Sequence, residues 1–326
     1  MIERAFGLKV LVSLFRVRTT EGMKTLALAA LLALSACATA PASAQPRAAA
    51  CAPLGMSRAE VDALKAAEWA IADEARRNAF ALALAECLGD PDPAVRDGLA
   101  FEGLQHLMRN RQLNATTLDG LRAQLLSNLA APDPQGFRSS FSALVLADVV
   151  RTDRIEAWMT PAQRTQLLDG AVRYLTNLRD HRGFDPREGY RHAPAHAGDL
   201  MMQIVLNTNY DKAALVRVRD AVGAQIAPEG VSYITGESER LARPILYMAQ
   251  RNVFSEAEWT AWFTQLAGPG PLGQSWDGWF QSQAGLSRRH NLMMFLGIMH
   301  ANVTLSDNAA FAPMRPGVAA GLAALP

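Results

Sequence analysis

Two turns of one design, Leu88-Gly-Asp-Pro-Asp-Pro93 and Leu129-Ala-Ala-Pro-Asp-Pro134, recur 41 residues apart, each followed by an arginine (Arg96, Arg138) and an apolar segment with helical spacing. A fixed period of this length constrains the fold strongly, because a helix pair cannot bury its apolar face alone and must stack on its neighbours. Asp92 and Pro93 suit a helix start, where proline fits the first turn and aspartate favours the N-terminus. Ser57 with Glu60 and Ser255 with Glu258 form capping boxes, and Thr160 precedes Pro161 as an N-cap before a first-turn proline. Leu118, Leu121, Leu125 and Leu129 make one apolar stripe, whereas no comparable segment alternates as a strand would. Half the residues are hydrophobic, with alanine and leucine dominant, which favours helices.

The period falls in the range of HEAT-like pairs. The expected fold class is therefore all-α, with stacked helix pairs forming an α-solenoid (α-α superhelix) of about a dozen helices over residues 57–326. The turns widen twice, at residues 181–191 and 228–240. Insertions in such stacks gather on one face, often the binding face.

The N-terminal region predicts where the chain works. Leu34, Ser35, Ala36 and Cys37 end an apolar run over residues 25–34 that begins after Met23 and Lys24, an arrangement that resembles a bacterial lipoprotein signal. Cleavage after Ala42, Ser43 and Ala44 is the alternative, but that site lies far from the end of the apolar run. Residues 1–22 do not fit a signal's charged start and read as an extension from an early start codon; residues 23–36 are the signal, and residues 37–56 the lipidated Cys37 with a tether rich in Ala, Pro and Ser. A ten-residue apolar run is too short for a permanent span. The expectation is an exported protein held to the membrane by lipid, facing the periplasm from the outer membrane because Ala38 follows the cysteine. Export leaves Cys51 and Cys87 as an even pair in an oxidising compartment, which predicts a disulfide. Counted from Cys37 the chain carries 27 basic and 29 acidic residues, a net charge of −2 that offers no footprint for nucleic acid.

The candidate site follows the first widened loop. His192, His196, Asp199 and Gln203 are spaced by four, three and four, so they share one helical face opposite Ala197, Met201, Ile204 and Val205. Imidazoles at i and i+4 with a carboxylate suit a divalent metal such as zinc or manganese, with Asp185, Glu188, Glu102 or His290 available as a further donor. The default reading of the same stripe is the solvent side of an amphipathic helix. Asp148 falls in the apolar stripe of Phe141, Leu144, Val145 and Val149, and Glu102 shares a face with Val95 and Leu99. Buried carboxylates need a partner, for which Arg96 or Arg138 is expected, or else they form an acid–base pocket. Arg288, Arg289, His290 and Asn291 open an all-round apolar helix, where His290 either faces a pocket or binds a neighbour's carbonyls. Trp259, Trp262, Trp276 and Trp279 flank residues 268–273 as an aromatic rim or as end packing.

GxSxG, SxxK, HExxH, Walker and strand-borne GxGxxG signatures are all absent from the chain. The segments Arg96-Asp-Gly-Leu-Ala-Phe-Glu102, Arg182-Gly-Phe-Asp-Pro-Arg-Glu-Gly-Tyr-Arg-His192, Ala195-His-Ala-Gly-Asp-Leu200 and Arg288-Arg-His-Asn-Leu292 together resemble the bacterial family called domain of unknown function 2785. The resemblance covers most of the chain after the tether and implies an all-helical domain of uncharacterised function. It departs from the family pattern at Tyr190, where Trp is frequent, and at Ala197, where Gly is. Arg96, Asp148, Tyr190, Gln203 and His290 are the expected ligand contacts. The expected function is a helical scaffold that binds a protein or small ligand of the cell envelope. The alternative is a metal-dependent hydrolase in which His192, His196 and Asp199 hold the ion and Glu102 or Asp185 is the general base. A third expectation is an envelope structural protein without a pocket.

Overall fold

Helix starts are fixed by side-chain caps. Ser57, Asp73, Asn114, Thr160, Asp211, Ser255 and Ser282 each accept a backbone N–H from the first turn of the helix they precede, satisfying donors that have no partner inside the helix. Thr160 with Gln163 completes a capping box, as do the pairs at Ser57 and Ser255. The computed structural model describes residues 51–326; Cys37, the signal segment and most of the tether lie outside the described residues.

The helices are α1 (Arg58–Ala66), α2 (Glu74–Glu86), α3 (Pro93–Val95), α4 (Glu102–Arg109), α5 (Ala115–Ala130), α6 (Arg138–Ile155), α7 (Pro161–Asn177), α8 (Ala193–Leu206), α9 (Lys212–Ile226), α10 (Glu237–Ala249), α11 (Glu256–Leu266), α12 (Gln283–Leu305) and α13 (Arg315–Ala323). They alternate between two layers. In the front layer α4, α6, α8, α10 and α12 each pack on the next, and in the back layer α2, α5, α7 and α9 do the same. The fold is all-α, a solenoid-like stack of helix pairs whose one β-structure among the described residues is the antiparallel ladder of β1 (Phe184–Asp185) with β2 (Gly189–Tyr190). Among the described residues no helix is long and apolar enough to cross a membrane.

Both Pro-Asp-Pro turns carry the chain from a back helix to a front helix, α2 to α3 and α5 to α6. The widened loops take the same place in later pairs, between α7 and α8 and between α9 and α10. They meet: the His181 and Tyr233 rings are 6.1 Å apart, and a Cβ on Gly183 would overlap the Thr235 side chain. Leu146, Val149, Leu200, Ile204, Leu241, Ile245 and Phe295, all fully buried, run between the layers as a continuous core. Gly198 lets α8 approach α10, since a Cβ there would stand 2.8 Å from the Arg240 carbonyl oxygen.

A disulfide joins Cys51 to Cys87 with the Cα atoms 5.3 Å apart, fastening the segment before α1 to the end of α2. Closing this loop contributes about 4 kcal/mol in the chain-entropy account. Between α3 and α4, Arg96–Phe101 forms a π-helical stretch. Its wider turn delays the helical phase by one residue, so Leu104, not Glu102, follows Val95 and Leu99 into the core.

Candidate functional site

The ladder of β1 with β2 delivers the chain to α8. Arg191 N–H donates to the Gly183 carbonyl (2.9 Å) and His192 N–H to the Arg182 carbonyl (3.1 Å). His192 caps α8 in the left-handed region, φ 56°, and its carbonyl accepts from the Ala195 and His196 N–H groups at 3.0 Å each. A residue with a side chain is held there only where its surroundings over-determine it, at a cost of about 1 kcal/mol. Here a train of rings supplies the constraint: Tyr190 stacks on His192 (5.0 Å), His192 meets His196 edge-on (5.9 Å), and His196 meets Phe141 edge-on (4.9 Å).

The polar stripe of α8 is not its solvent face. His192, His196 and Asp199 are 8%, 6% and 9% exposed, because front-layer neighbours α6 and α10 flank this helix on both sides. Burial lowers the pKa of His192, opposed by Glu237, and holds that of His196 well below the usual imidazole value, with His192 and Arg240 adding to it. Both rings are therefore neutral at pH 7.

The role of each His196 nitrogen follows from its partner. Ser140 Oγ donates to the Arg191 carbonyl and lies 2.9 Å from His196 Nδ1. A carbonyl only accepts, so the hydroxyl proton is committed to it and Nδ1–H donates to Ser140 Oγ. Nε2 then keeps its lone pair. His192 Nε2 is buried 3.5 Å from Glu237 Oε1 without a hydrogen bond. Glu237, itself buried, accepts from the Thr235 N–H (3.0 Å) and the Thr235 hydroxyl.

The expected metal set does not assemble. Both Asp199 oxygens accept from Arg240, one from Nε at 2.8 Å, the other from the neighbouring guanidinium nitrogen, and a carboxylate so occupied beside a cation is a poor ligand. Among the described residues no three His, Cys, Asp or Glu side chains are grouped to hold an ion. The expected bases are also elsewhere. Glu102 is half-exposed and paired with Lys65 at 2.5 Å, turned out by the π-helical stretch. Asp185 accepts from the Arg187 and Glu188 N–H groups at 2.8 and 3.0 Å, which lowers its pKa and ties it to its own turn. Glu188 is paired with Arg191.

Asp148 is buried as expected, but its partners are Arg109 (3.0 Å) and Gln105 (3.3 Å), not Arg96 or Arg138. Arg96 is fully buried, donates to the Asp90, Pro91 and Glu188 carbonyls and lies over the rings of Phe137 and Phe141. It braces the turn under the site and pairs with Asp97 at 2.7 Å, and Arg138 is exposed. Gln203 lies at the edge and accepts from Arg154 at 3.3 Å. His290 is apart from the others: its Nε2 is 3.1 Å from the Tyr233 carbonyl, where with Asn291 it pins the second widened loop. Trp259 and Trp262 are core residues, so the four tryptophans form no common rim.

Asp148, His192, His196, Asp199 and Gln203 border one cleft of about 560 Å³ across the front layer, which Phe141, Leu144, Ala147 and Tyr190 also line. Asp97, Phe101, Gln105 and Arg109 border it on one side and Arg240 on the other. Its charges come in pairs, Asp97 with Arg96, Asp148 with Arg109 and Asp199 with Arg240. Sequence reasoning missed Arg240, Glu237, Ser140 and Arg109. Glu237 had a legible signal, since it stands one turn before Leu241, Ile245 and Met248 on the buried stripe of α10.

A family model described as protein of unknown function (DUF2785) matches residues 125–300, which contain His192, His196, Asp199 and Arg240. No curated protein and no solved structure matches the chain. With more than half its length matched, and with the cleft's imidazoles inside the matched span, the chain belongs to the DUF2785 family of proteins of unknown function.

Proposed function

We propose that this protein is a ligand-binding scaffold of the cell envelope, and that its front cleft takes a neutral, hydroxyl-bearing small molecule. The observation that carries the reading is charge balance. Every carboxylate and guanidinium bordering the cleft already has an opposite partner, and both imidazoles are neutral. A charged ligand would meet no uncompensated countercharge, and desolvating it there would cost more than it regains. Hydroxyl groups find what they need: an acceptor at His196 Nε2, outer lone pairs of paired carboxylates, and the half-exposed Tyr190 ring as a stacking face. Export is supported by Leu34 to Cys37 and by a disulfide suited to an oxidising compartment.

Titration of the purified protein with neutral mono- and disaccharides, beside sugar acids and amino sugars, tests the reading by thermal shift and by perturbation of the His196 ring signals. Saturable binding of a neutral sugar that is lost in His196→Phe supports it. Binding confined to the charged analogues overturns it. Mass analysis of the mature N-terminus tests the anchor, with acyl mass expected on Cys37.

The tautomer of His196 favours a second reading. A neutral ring with Nδ1–H fixed and Nε2 free offers a bound hydroxyl a metal-independent proton acceptor, and burial beside His192 and Arg240, which holds its pKa well below the usual imidazole value, makes it a weak base.

A further inference from the structure

A separate cavity of about 320 Å³ lies where the ends of α4 and α6 meet the start of α5. Its charge is opposite in kind to that of the cleft. Three guanidinium groups line it, from Arg109, Arg111 and Arg151, against the single carboxylate of Glu156. Arginines near helix C-termini are often explained by the negative ends of the helices, but among the described residues none of these three donates to a helix-end carbonyl. Arg109 is turned to Asp148 in the cleft. Arg111, in the left-handed region at φ 56°, stands 4.0 Å from Glu156, and both side chains are mostly exposed, so the pair neutralises little. Arg151 has no ion pair and no side-chain hydrogen bond among the described residues, and it is partly buried. The lining also has an apolar part, with Leu113, Leu118, Ile155 and Trp158 bordering the cavity. The indole N–H of Trp158 is already given to Thr152 at 3.0 Å, which leaves its ring as contact surface.

We propose that this cavity is a second binding site, for an organic anion with one carboxylate, sulfonate or phosphate group on an apolar body. Arg151, without an ionic partner among the described residues, and the weakly paired Arg111 supply charge-assisted, forked hydrogen bonds to such a head group, while Arg109 stays with Asp148. The apolar wall takes the body, and neither part alone fills the site. Because Arg109 borders both the cavity and the cleft, the two sites are adjacent along the front layer. The inference stands whether or not the cleft binds a neutral ligand.

The probe is 1-anilinonaphthalene-8-sulfonate, an aryl sulfonate, set against N-phenyl-1-naphthylamine, which keeps the apolar body and lacks the charge. Titration of the full chain should give saturable fluorescence enhancement at one site, with the uncharged compound at least tenfold weaker. Octanoate should displace the probe, and acetate should not. The double substitution Arg111→Glu/Arg151→Glu, with helical circular dichroism and urea midpoint as checks on folding, should weaken probe binding at least tenfold. Single Arg151→Gln separates loss of the cation from charge reversal and should weaken it several-fold. Equal affinity for the charged and uncharged compounds, or unchanged probe binding in a folded double variant, overturns the proposal.

Discussion

The cleft and the cavity share Arg109 and one helical layer, yet they spend charge in opposite ways. In the cleft each buried carboxylate is matched with a guanidinium across neighbouring helices, Asp148 with Arg109 and Asp199 with Arg240, and the imidazoles stay neutral. In the cavity the arginines outnumber the acids, and its one acid–base pair, Arg111 with Glu156, is mostly exposed. Burial explains the difference: a charge inside the stack must have a partner to persist there, whereas an exposed one is solvated without it. The cleft should therefore govern stability, and the cavity only binding.

Separating the cleft's ion pairs should have the largest effect. Asp199→Ala leaves Arg240 largely buried without its anion and should cost about 3 kcal/mol in urea denaturation. Arg109→Ala strands Asp148, which is more buried than Arg240 but keeps the Gln105 amide as a donor, and should cost about 2 kcal/mol. If Arg109→Ala costs nothing, Asp148 is not held as a buried charge. The double variant Asp199→Leu/Arg240→Met should recover much of the loss, since replacing both members of a buried pair removes the unpaired charge.

Acid sharpens the contrast next. His192 and His196 have pKa values depressed by burial, so the unfolded chain binds protons that the folded chain refuses. Stability is complete above the ordinary imidazole value of 6.5 and is lost as pH falls below it. Each refused proton contributes a slope approaching about 1.4 kcal/mol per pH unit. Urea midpoints between pH 7.5 and 5.5 should fall in the parent and flatten in His192→Gln/His196→Gln. A flat parent profile would show that the rings are not buried as neutral groups. Gly198→Ala should cost about 1–2 kcal/mol, because its methyl group would press on the Arg240 backbone and move the cleft's cation.

Much of this architecture was legible because it is local. Ser57, Thr160 and Ser255 announced their helices through neighbours three residues away, and the paired Pro-Asp-Pro turns marked the passage between layers. The errors arose where geometry is not local. Glu102 was assigned to the core by α-helical period, which the π-helical stretch before it breaks. The α8 stripe looked solvent-facing because a periodicity argument sees only one helix and cannot know that α6 and α10 cover it. Arg240 escaped notice because its partner Asp199 is 41 residues distant. That separation, like the 39 residues between Arg109 and Asp148, is close to one structural repeat. In a stack, ion pairs between successive front helices should recur near the repeat length, so the period that revealed the fold also held the key to the cleft's partners.

The smallest expected effect bears most directly on the cavity. Arg151 makes no ion pair and no side-chain hydrogen bond among the described residues, so no polar contact is lost in Arg151→Gln, which keeps most of the side chain's stem. Its stability should change by less than about 0.5 kcal/mol, the usual range for a surface substitution without partners. Removing one of three like charges from a small volume should even favour folding slightly, and more so at low salt, where repulsion among Arg109, Arg111 and Arg151 is least screened. A rise in urea midpoint at 20 mM salt that vanishes at 500 mM would identify the cluster as held against its own repulsion, the pattern of a site kept for a ligand. A fall at both salts would mean that Arg151 has a structural partner, and the division between a cleft that stabilises and a cavity that binds would not hold.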